Sequence, residues 1–450
     1  MPESDKMSST SGDPKVSFVT AAPADRMTYQ RWVICALLFF ATVIAYVDRA
    51  VIANLKNTLE GVIPGLNDYK YGIITVAFQL AYGIAMLVAG GLTDKLGTRK
   101  AFAIAITLWS IAAMLPGAAF SVASFALAMF LLGLGEAANF PACIKTVAEW
   151  FPKRERAFAT GLFNSGANVG NMVAPVVVAV FVALFSQWNV FGPARAWRGS
   201  FFVAGALGFV WLIFWLIVYR RPEDQPRVSK AELALILSDP GEKIESVPWS
   251  HVVPCKEAWA FAVGKFLTDP IWWFYLFWIP GYLQSTFHLS LSQSKIPVML
   301  AYAISIIGSV GGGWISGALI NRGITPNMAR KGTMLLCVLC IAPIFTAPFI
   351  HHLWLVVALL GLATAGHQGW SATLFTLPSD MFPKAAVASV TGIGGMAGAF
   401  GGVLLLFSAG AIVQETHSYV TLFIIACLAY PLALLIIHLI TPRLAPARLS

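Results

Sequence analysis

The sequence predicts an all-α membrane protein with twelve transmembrane helices in two pseudo-symmetric six-helix halves. Three observations carry this prediction. The 450-residue chain is 58% hydrophobic and only 11% charged, whereas soluble proteins carry about 25% charged residues. Apolar stretches of about 20 residues, each long enough to cross a hydrocarbon core of about 30 Å as a helix, recur along the chain. A segment of the second half also repeats a segment of the first.

The apolar stretches define the spans and the connections between them. In chain order the predicted spans are 32–55, 71–92, 101–121, 124–148, 158–185, 200–219, 270–289, 295–320, 332–350, 353–377, 385–413 and 418–441. The first 26 residues are polar and lack the apolar core of a cleavable signal peptide, so we expect the first span to be retained.

The stretch from 220 to 269 interrupts the apolar pattern with clustered charges and five prolines. We therefore predict a cytoplasmic linker there, with a short helix around 229–238. The linker separates an N-terminal half, 1–219, from a C-terminal half, 270–450.

Lysine and arginine predict the orientation. Of 30 such residues, 23 lie at the termini or in the even-numbered connections, five lie on the other side, and two fall inside spans. Positive charge accumulates on the cytoplasmic side of a membrane protein, so we expect both termini in the cytoplasm. The net charge of +9 is then a signal of topology, and not of nucleic-acid binding. Part of it is available to anionic lipid headgroups.

Enzyme chemistry is not indicated. The sequence offers no nucleotide-binding loop, metal-ligand cluster or nucleophile–base spacing, so we expect no cofactor, no metal and no catalytic residue. Cys337 and Cys340 have the spacing of a redox or zinc pair, but both lie in an apolar span without nearby ligands. Core packing is the favoured interpretation.

The internal repeat predicts transport. "FPKRERAFATG" (Phe151–Gly161) aligns with "FPKAAVASVTG" (Phe382–Gly392) at an offset of 231 residues. Each segment follows the fourth predicted span of its half and opens the fifth. Duplicated halves around a midplane site are typical of alternating-access transporters.

The connection between the second and third spans reads "GGLTDKLGTRK" (Gly90–Lys100). Its small residues let helices approach closely, and Asp94 is suited to pair with a cation or to cap a helix. This stretch resembles the G-x-L-x-D-x-x-G-x-R-K loop of the major facilitator superfamily, a gating element there. The resemblance implies gating roles for Asp94, Arg99 and Lys100. The second half has a degenerate copy, with Gly317 where the aspartate would stand.

Three ionisable residues are predicted deep inside spans: Asp48, Arg49 and Glu136. Each costs roughly 3 kcal/mol on insertion scales and therefore requires a partner or a function. Asp269 and Asp380 are placed at span ends. Adjacent helix residues point about 100° apart, so Asp48 and Arg49 cannot pair well with each other.

Chemistry assigns these charges different roles. Arg49 offers a planar fork to a substrate carboxylate. Asp48 and Glu136 are predicted to take up and release protons. At a helical rise of 1.5 Å per residue the two acids lie at similar heights, and His367, the repeat partner of Glu136, reaches that level from the second half.

Other polar and aromatic span residues are candidates for lining a substrate cavity. Tyr46 shares a face with Arg49, and Tyr82 comes from the second span. The further candidates are Asn164, Asn168, Trp278, Tyr282, Gln284, His367, Gln368, Trp370 and Ser371. Trp272 and Trp273 lie near a predicted span end and are interpreted as interfacial anchors.

Long stretches of the chain resemble the bacterial hexuronate transporters, within the anion:cation symporter branch of the superfamily. These stretches are "RWVICALLFFATVIAYVDR", "FQLAYG", "GLGEAANFPACIKTVAEWFPKRERAFATGLFNSGANVG" and "HQGWSATLFTLPSDMFPKAAVASVTGIGGMAGAFGG". The resemblance implies proton-driven uptake of glucuronate or galacturonate across a bacterial inner membrane, for which we expect a functional monomer. It maps the branch's functional residues onto Asp48, Arg49, Glu136 and Tyr82. Met129 stands where several members carry an arginine, so Glu136 is expected to be easier to protonate.

The sequence leaves alternative functions open. Another small organic anion, such as the aldonate galactonate, fits the same residues, and sodium could replace the proton. A multidrug exporter of the same fold would need a broad apolar cavity, whereas one arginine beside two carboxyl groups favours a polyhydroxy anion. A membrane enzyme or a signalling receptor lacks any supporting motif.

Overall fold

The computed structural model describes residues 27–238 and 249–447. Within these ranges the regular structure is helical and no strand is present. The helices are α1 Gln30–Val62, α2 Asp68–Leu96, α3 Thr98–Ala118, α4 Val122–Glu136, α5 Asn139–Trp150, α6 Lys153–Trp188, α7 Trp197–Val218, α8 Lys230–Ile236, α9 Trp249–Val252, α10 Lys256–Thr286, α11 Leu291–Asn321, α12 Pro326–Ile341, α13 Leu353–Leu374, α14 Leu377–Met381, α15 Lys384–Thr416 and α16 Val420–Ile440. Short 3-10 segments occur at Pro193–Arg195, Pro222–Asp224 and Ala342–Phe349.

The predicted class, an all-α membrane protein, is confirmed. Over the described residues, ten helical segments are long and apolar enough to cross a membrane. The α4–α5 and α13–α14 pairs each count as one such segment. Helices α2 and α10, 29 and 31 residues long, occupy the two remaining predicted span positions.

The internal repeat is visible in the helix boundaries. Helix α6 begins at Lys153 and α15 begins at Lys384, the offset seen in the sequence. Each follows a proline, Pro152 or Pro383, with the same backbone angles of φ −62° and ψ 152°. Proline suits a helix start because its φ is fixed and it has no N–H that requires a partner. Helices α4 and α13 begin at residues related by the same offset. Corresponding helices of the two halves therefore start at equivalent positions.

The linker is attached to the N-terminal half where α1 begins, an end of the bundle called here the terminal end. Glu232 of α8 accepts hydrogen bonds from the Gln30 and Arg31 backbone N–H groups (2.9 and 3.1 Å) and from the Thr28 hydroxyl (2.6 Å). The Arg31 guanidinium pairs with Glu232 at 3.0 Å and with Glu155 of α6 at 2.9 Å. Burial opposes ionisation of Glu232, but these hydrogen bonds outweigh it and lower the pKa of its carboxyl.

Two predictions about the linker have different outcomes. The short helix predicted around 229–238 is confirmed as α8. Helix α10, however, begins 14 residues before the predicted seventh span and runs through Pro270. The sequence pattern places Asp269 at a span end, whereas the structure places it within α10, as the fourteenth of its 31 residues. Lys265 pairs with Asp269 within the helix. A hydropathy pattern counts both residues as charged, so it does not indicate that the helix continues through them.

The two halves meet closely at the opposite end, called here the distal end. Helix α2 crosses α15 at Gly72 and Gly410, where a Cβ added to Gly72 would lie 2.9 Å from the Gly410 Cα. The Tyr71 hydroxyl donates to the Phe277 carbonyl at 2.7 Å, which joins α2 to α10. Any side chain larger than hydrogen at Gly72 would force these helices apart, so the crossing requires glycine.

A buried lysine reinforces the distal end. The Lys56 ammonium of α1 pairs with Glu60 at 2.8 Å and with Asp68 at 2.6 Å. It also lies 5.5 Å from the ring centroids of Tyr71 and Trp278, the second of which belongs to α10. Paired charges and aromatic rings from both halves therefore cover this end.

The orientation predicted from lysine and arginine is directly testable. We expect a reporter fused after Leu66, between α1 and α2, to be outside the cytoplasm. A reporter fused after Trp249, in the linker, should be inside. Paired alkaline phosphatase and fluorescent-protein fusions at both positions measure this, and the reverse pattern would contradict the assignment.

Candidate functional site

Arg49 and Glu136 form a buried ion pair between α1 and α4. The Arg49 Nε donates to Glu136 Oε2, and the side chains are 3% and 0% exposed. Met129, two turns earlier on α4, is buried in the apolar core. Among the described residues, Arg49 is therefore the one cation paired with Glu136.

Aromatic rings surround the Arg49 guanidinium. Its Cζ lies 4.7 Å from the ring centroid of Tyr46, 4.9 Å from Tyr82, 5.2 Å from Phe78 and 5.6 Å from Trp273. We call these four residues the Arg49 cage. Each such contact contributes about 0.5–2 kcal/mol, depending on desolvation. The cage draws on α1 and α2 of the N-terminal half and on α10 of the C-terminal half.

The sequence predicts two of the four cage residues. Tyr46 and Tyr82 were predicted, and the structure places both on Arg49. Phe78 was missed, although it precedes Tyr82 by four residues and so shares its face of α2. The interpretation of Trp273 as an interfacial anchor is wrong because Trp273 is buried and its ring lies against the Arg49 guanidinium inside the bundle.

Asp48 is buried without a partner. Asp48 is 3% exposed. Neither of its carboxylate oxygens accepts a hydrogen bond from the described residues. No ion pair forms between Asp48 and Arg49 within the described structure, as expected for adjacent helix residues. A carboxyl group in this position gains or loses a proton without breaking a hydrogen bond to the protein.

A polar contact joins the two halves near the site. Asn168 Oδ1 of α6 accepts hydrogen bonds from Gln368 Nε2 of α13 at 2.9 Å and from the Ser305 hydroxyl of α11 at 3.3 Å. The structure thus brings together two predicted residues and adds Ser305, which the sequence reasoning missed. Asn164, one turn earlier on α6, is exposed. Amide and hydroxyl groups of this kind suit the recognition of sugar hydroxyls.

His367 and Trp370 face the interior of the C-terminal half. The His367 ring stacks on Trp272 at 5.0 Å, and its Nδ1 shares a hydrogen bond of 2.6 Å with the Tyr430 hydroxyl. Trp370 Nε1 donates to the Thr268 hydroxyl at 3.1 Å. These contacts fix both side chains against α10 and α16. Trp272 is therefore buried, and its interpretation as an interfacial anchor is also wrong.

Three other predicted residues lie toward the distal end. The Lys56 ammonium lies over the Trp278 ring. The Tyr282 hydroxyl donates to the Ala347 carbonyl, in the 3-10 segment Ala342–Phe349, at 3.2 Å. Gln284 Nε2 donates to the Asn54 carbonyl at 3.0 Å. The structure uses them to close the bundle and does not bring them into contact with the Arg49 cage. Ser371, the remaining candidate, is half-buried on α13.

The predicted gating residues lie at the terminal end. Arg99 Nη2 donates to the Leu216 carbonyl at 2.6 Å, close to the end of α7. Lys100 is exposed. Asp94 belongs to α2, but its side chain lies outside the described residues. The gating roles stay predictions.

The described ranges contain no group of three or more His, Cys, Asp or Glu side chains that could hold a metal ion. None of the six cysteines forms a disulfide with another in the described structure, and this includes Cys337 and Cys340.

Comparison with known proteins places this geometry in context. Residues 38–406 match the family model described as the Major Facilitator Superfamily. The chain is 29% identical over 407 residues to a hexuronate transporter of Escherichia coli (strain K12), covering 87% of this chain and 90% of that protein. It is 30% identical over 333 residues to a galacturonate transporter of Dickeya chrysanthemi, with coverages of 71% and 93%. A probable galactarate/D-glucarate transporter of Escherichia coli (strain K12) is 29% identical over 411 residues, with coverages of 87% and 90%.

Solved structures share the fold. A bacterial homologue of the human lysosomal transporter Spinster, in an inward-facing and occupied conformation, superposes with a TM-score of 0.71 at 16% identity and covers 92% of this chain and 97% of its own. A D-xylose–proton symporter superposes with a TM-score of 0.68 at 14% identity, with coverages of 90% and 97%.

Proposed function

Since this chain belongs to the Major Facilitator Superfamily, we propose that it imports a hexuronate, glucuronate or galacturonate, together with protons across a bacterial inner membrane. The chain is a transporter and not an enzyme, and its relatives transport sugar acids. The choice of a hexuronate, the coupling to protons and the cytoplasmic position of both termini are our proposals. We also propose that one chain suffices for function and that its basic terminal end contacts anionic lipid.

The Arg49–Glu136 pair inside the aromatic cage carries this proposal. A guanidinium has five N–H donors in a rigid fork, and Nε uses one of them on Glu136. The fork matches a carboxylate in geometry and charge. Flat aromatic faces beside it suit a pyranose ring, and the Asn168–Gln368 contact supplies hydroxyl-binding groups nearby.

Competition for Arg49 gives a mechanism for coupling. Substrate carboxylate and Glu136 carboxylate are both anions that pair with one guanidinium. A proton taken up from outside neutralises Glu136, which weakens its hold on Arg49 and leaves the guanidinium to the substrate. After the substrate and the proton leave inside, Glu136 pairs with Arg49 again. Asp48, buried without a hydrogen-bond partner in the described structure, is the second proton carrier.

Charge balance explains why two acids are useful. A hexuronate anion moving toward an inside-negative cytoplasm is opposed by about 2.3 kcal/mol per 100 mV. One proton makes the step electroneutral, and a second lets the potential drive it. Two buried acids at one site, Asp48 and Glu136, suffice for both protons.

The distal closure fits one state of an alternating-access cycle. With both termini in the cytoplasm, a bundle closed at Gly72–Gly410 and Lys56 would release substrate at the terminal end. Import then requires these distal contacts to open and the terminal end, with Asp94, Arg99 and Lys100, to close.

Uptake into proteoliposomes tests the function. We expect labelled galacturonate to accumulate when the pH outside is lower than inside, and the accumulation to collapse with a protonophore. Galactonate, sodium gradients and drug-like cations are compared in the same vesicles. Accumulation of galactonate alone would favour the aldonate alternative, a sodium requirement would replace the proton, and export of apolar cations would overturn the proposal.

A further inference from the structure

A second buried ion pair lies in α10, in the C-terminal half. Lys265 Nζ is 2.7 Å from Asp269 Oδ2, and the side chains are 7% and 21% exposed. The ammonium also lies 4.1 Å from the ring centroid of Phe375. Asp269 is therefore the more accessible member of the pair, while the Lys265 ammonium lies against an aromatic ring.

The surrounding backbone is shaped around the acid. A Cβ added to Gly398 of α15 would lie 2.3 Å from Asp269 Oδ2, so this position accepts only glycine while Asp269 keeps its place. One turn along α15, a Cβ added to Gly402 would lie 3.1 Å from Trp273 Cδ1. Asp269 and Trp273 thus lie one turn apart on the face of α10 that contacts α15.

That contact connects Asp269 to the Arg49 cage. Trp273 is a member of the cage, with its ring 5.6 Å from the Arg49 Cζ. Asp269 precedes it by four residues, which is about 6 Å along the helix axis on the same face. A six-carbon sugar acid bound to Arg49 through its carboxylate is long enough to place its other end at this level.

We propose that Asp269, held in place by Lys265, binds hydroxyl groups at the end of the sugar acid opposite to the carboxylate on Arg49, and excludes sugar acids that carry a second carboxylate there. This inference rests on the proposed function. A carboxylate has two acceptor oxygens suited to neighbouring sugar hydroxyls. The same charge repels a second carboxylate, so the pair selects monocarboxylates over aldarates by repulsion as well as by attraction.

The distinction matters because the relatives include both classes, a hexuronate transporter and a probable galactarate/D-glucarate transporter. In this chain the Lys265 ammonium could pair with the second carboxylate of an aldarate, but Asp269 already occupies it. Asp269 is therefore a specificity-determining residue, and its removal should widen the substrate range.

Binding of galacturonate, galactonate and galactarate to the purified full-length protein tests this, measured by calorimetry at neutral pH. We expect the wild type to prefer the two monocarboxylates over galactarate by at least about tenfold. Asp269→Asn, which keeps shape and leaves Lys265 charged, should shift that ratio toward galactarate by about tenfold or more. The double variant Lys265→Met, Asp269→Asn removes both charges, so it leaves no buried charge unpaired. It should bind galactarate poorly again.

The control is Asp380→Asn, because Asp380 is paired with Arg330 at 2.8 Å in the same half but outside the cage. It should leave the ratio unchanged. A wild type that prefers galactarate, or a ratio unaffected by Asp269→Asn in a protein that keeps its thermal stability, would overturn the inference. If Asp269→Asn does not fold, a double variant that binds galactarate as well as galacturonate would overturn it. Failure of the wild type to bind any of the three acids would instead count against the proposed function.

Discussion

Arg49→Lys is expected to weaken galacturonate binding by about 10- to 100-fold. An ammonium keeps the charge but offers neither the planar fork nor the flat face that stacks with the cage rings. The charged hydrogen bonds lost are worth about 1.5–3 kcal/mol, and about 1.4 kcal/mol corresponds to tenfold in affinity. Calorimetry on the purified protein measures the change.

Structural damage must be separated from lost recognition. Arg49→Ala would leave Glu136 buried and unpaired, which costs roughly 3–5 kcal/mol of stability. The double variant Arg49→Met, Glu136→Gln removes both charges, so it should recover thermal stability relative to Arg49→Ala while still failing to bind. Near-wild-type affinity in both Arg49→Lys and the double variant would show that the carboxylate docks elsewhere.

Glu136→Gln is expected to retain binding and to abolish proton-driven accumulation. A pH gradient of one unit supports about tenfold accumulation for each proton carried with the substrate. A glutamine neither carries a proton nor ties the release of Arg49 to protonation, so the coupling step is lost and the variant should only equilibrate its substrate. Exchange between preloaded vesicles and labelled substrate should continue, because Arg49 remains available for the carboxylate. Asp48→Asn should likewise uncouple accumulation from the gradient.

Glu415→Gln is the matched control, since Glu415 is an exposed carboxylate at the distal end. It should accumulate substrate as the wild type does. If Glu136→Gln still accumulates substrate under an imposed gradient, and loses it with a protonophore, Glu136 is not an essential proton carrier. The path would then run through Asp48 alone or through His367.

Most of the fold could be predicted from the sequence because membrane spans are long and apolar, and because the repeat fixes corresponding elements. The segments beginning at Phe151 and Phe382 marked the starts of α6 and α15, which the structure places at Lys153 and Lys384. Deep charges were found for the same reason: Arg49 and Glu136 stand out against apolar neighbours, and the structure joins them.

Helix α10 shows where the pattern failed. Lys265 and Asp269 lower the local hydropathy and Pro270 resembles a boundary, so the pattern predicts a span that begins at 270, whereas α10 begins at Lys256. Their mutual pairing at i and i+4 cannot be distinguished from a solvated helix turn by composition alone. A span that begins at 270 puts Trp273 near its end, so the pattern predicts an interfacial residue there and not the C-terminal contribution to the cage.

The candidates Trp278, Tyr282 and Gln284 show a second limit. They follow Trp273 on the same helix and have the residue types of a sugar-binding wall. Their hydrogen bonds and ring contacts instead close the distal end. Whether an aromatic residue lines a cavity or seals one depends on which helices lie opposite, and that information is not local in sequence.

The helix offset shared by the two halves has a consequence for how a bound molecule is held. The same offset relates Glu136 to His367, but the first is an acid paired with Arg49 and the second is an imidazole between Trp272 and Tyr430. Identical copies would present the same surroundings to both ends of a substrate. Here equivalent positions of the two halves carry different residues, so in the proposed binding mode the carboxylate end and the hydroxyl end of a sugar acid meet different surroundings. In that binding mode the repeat supplies the common helix framework, while the residues that differ between the halves set the direction in which the substrate lies.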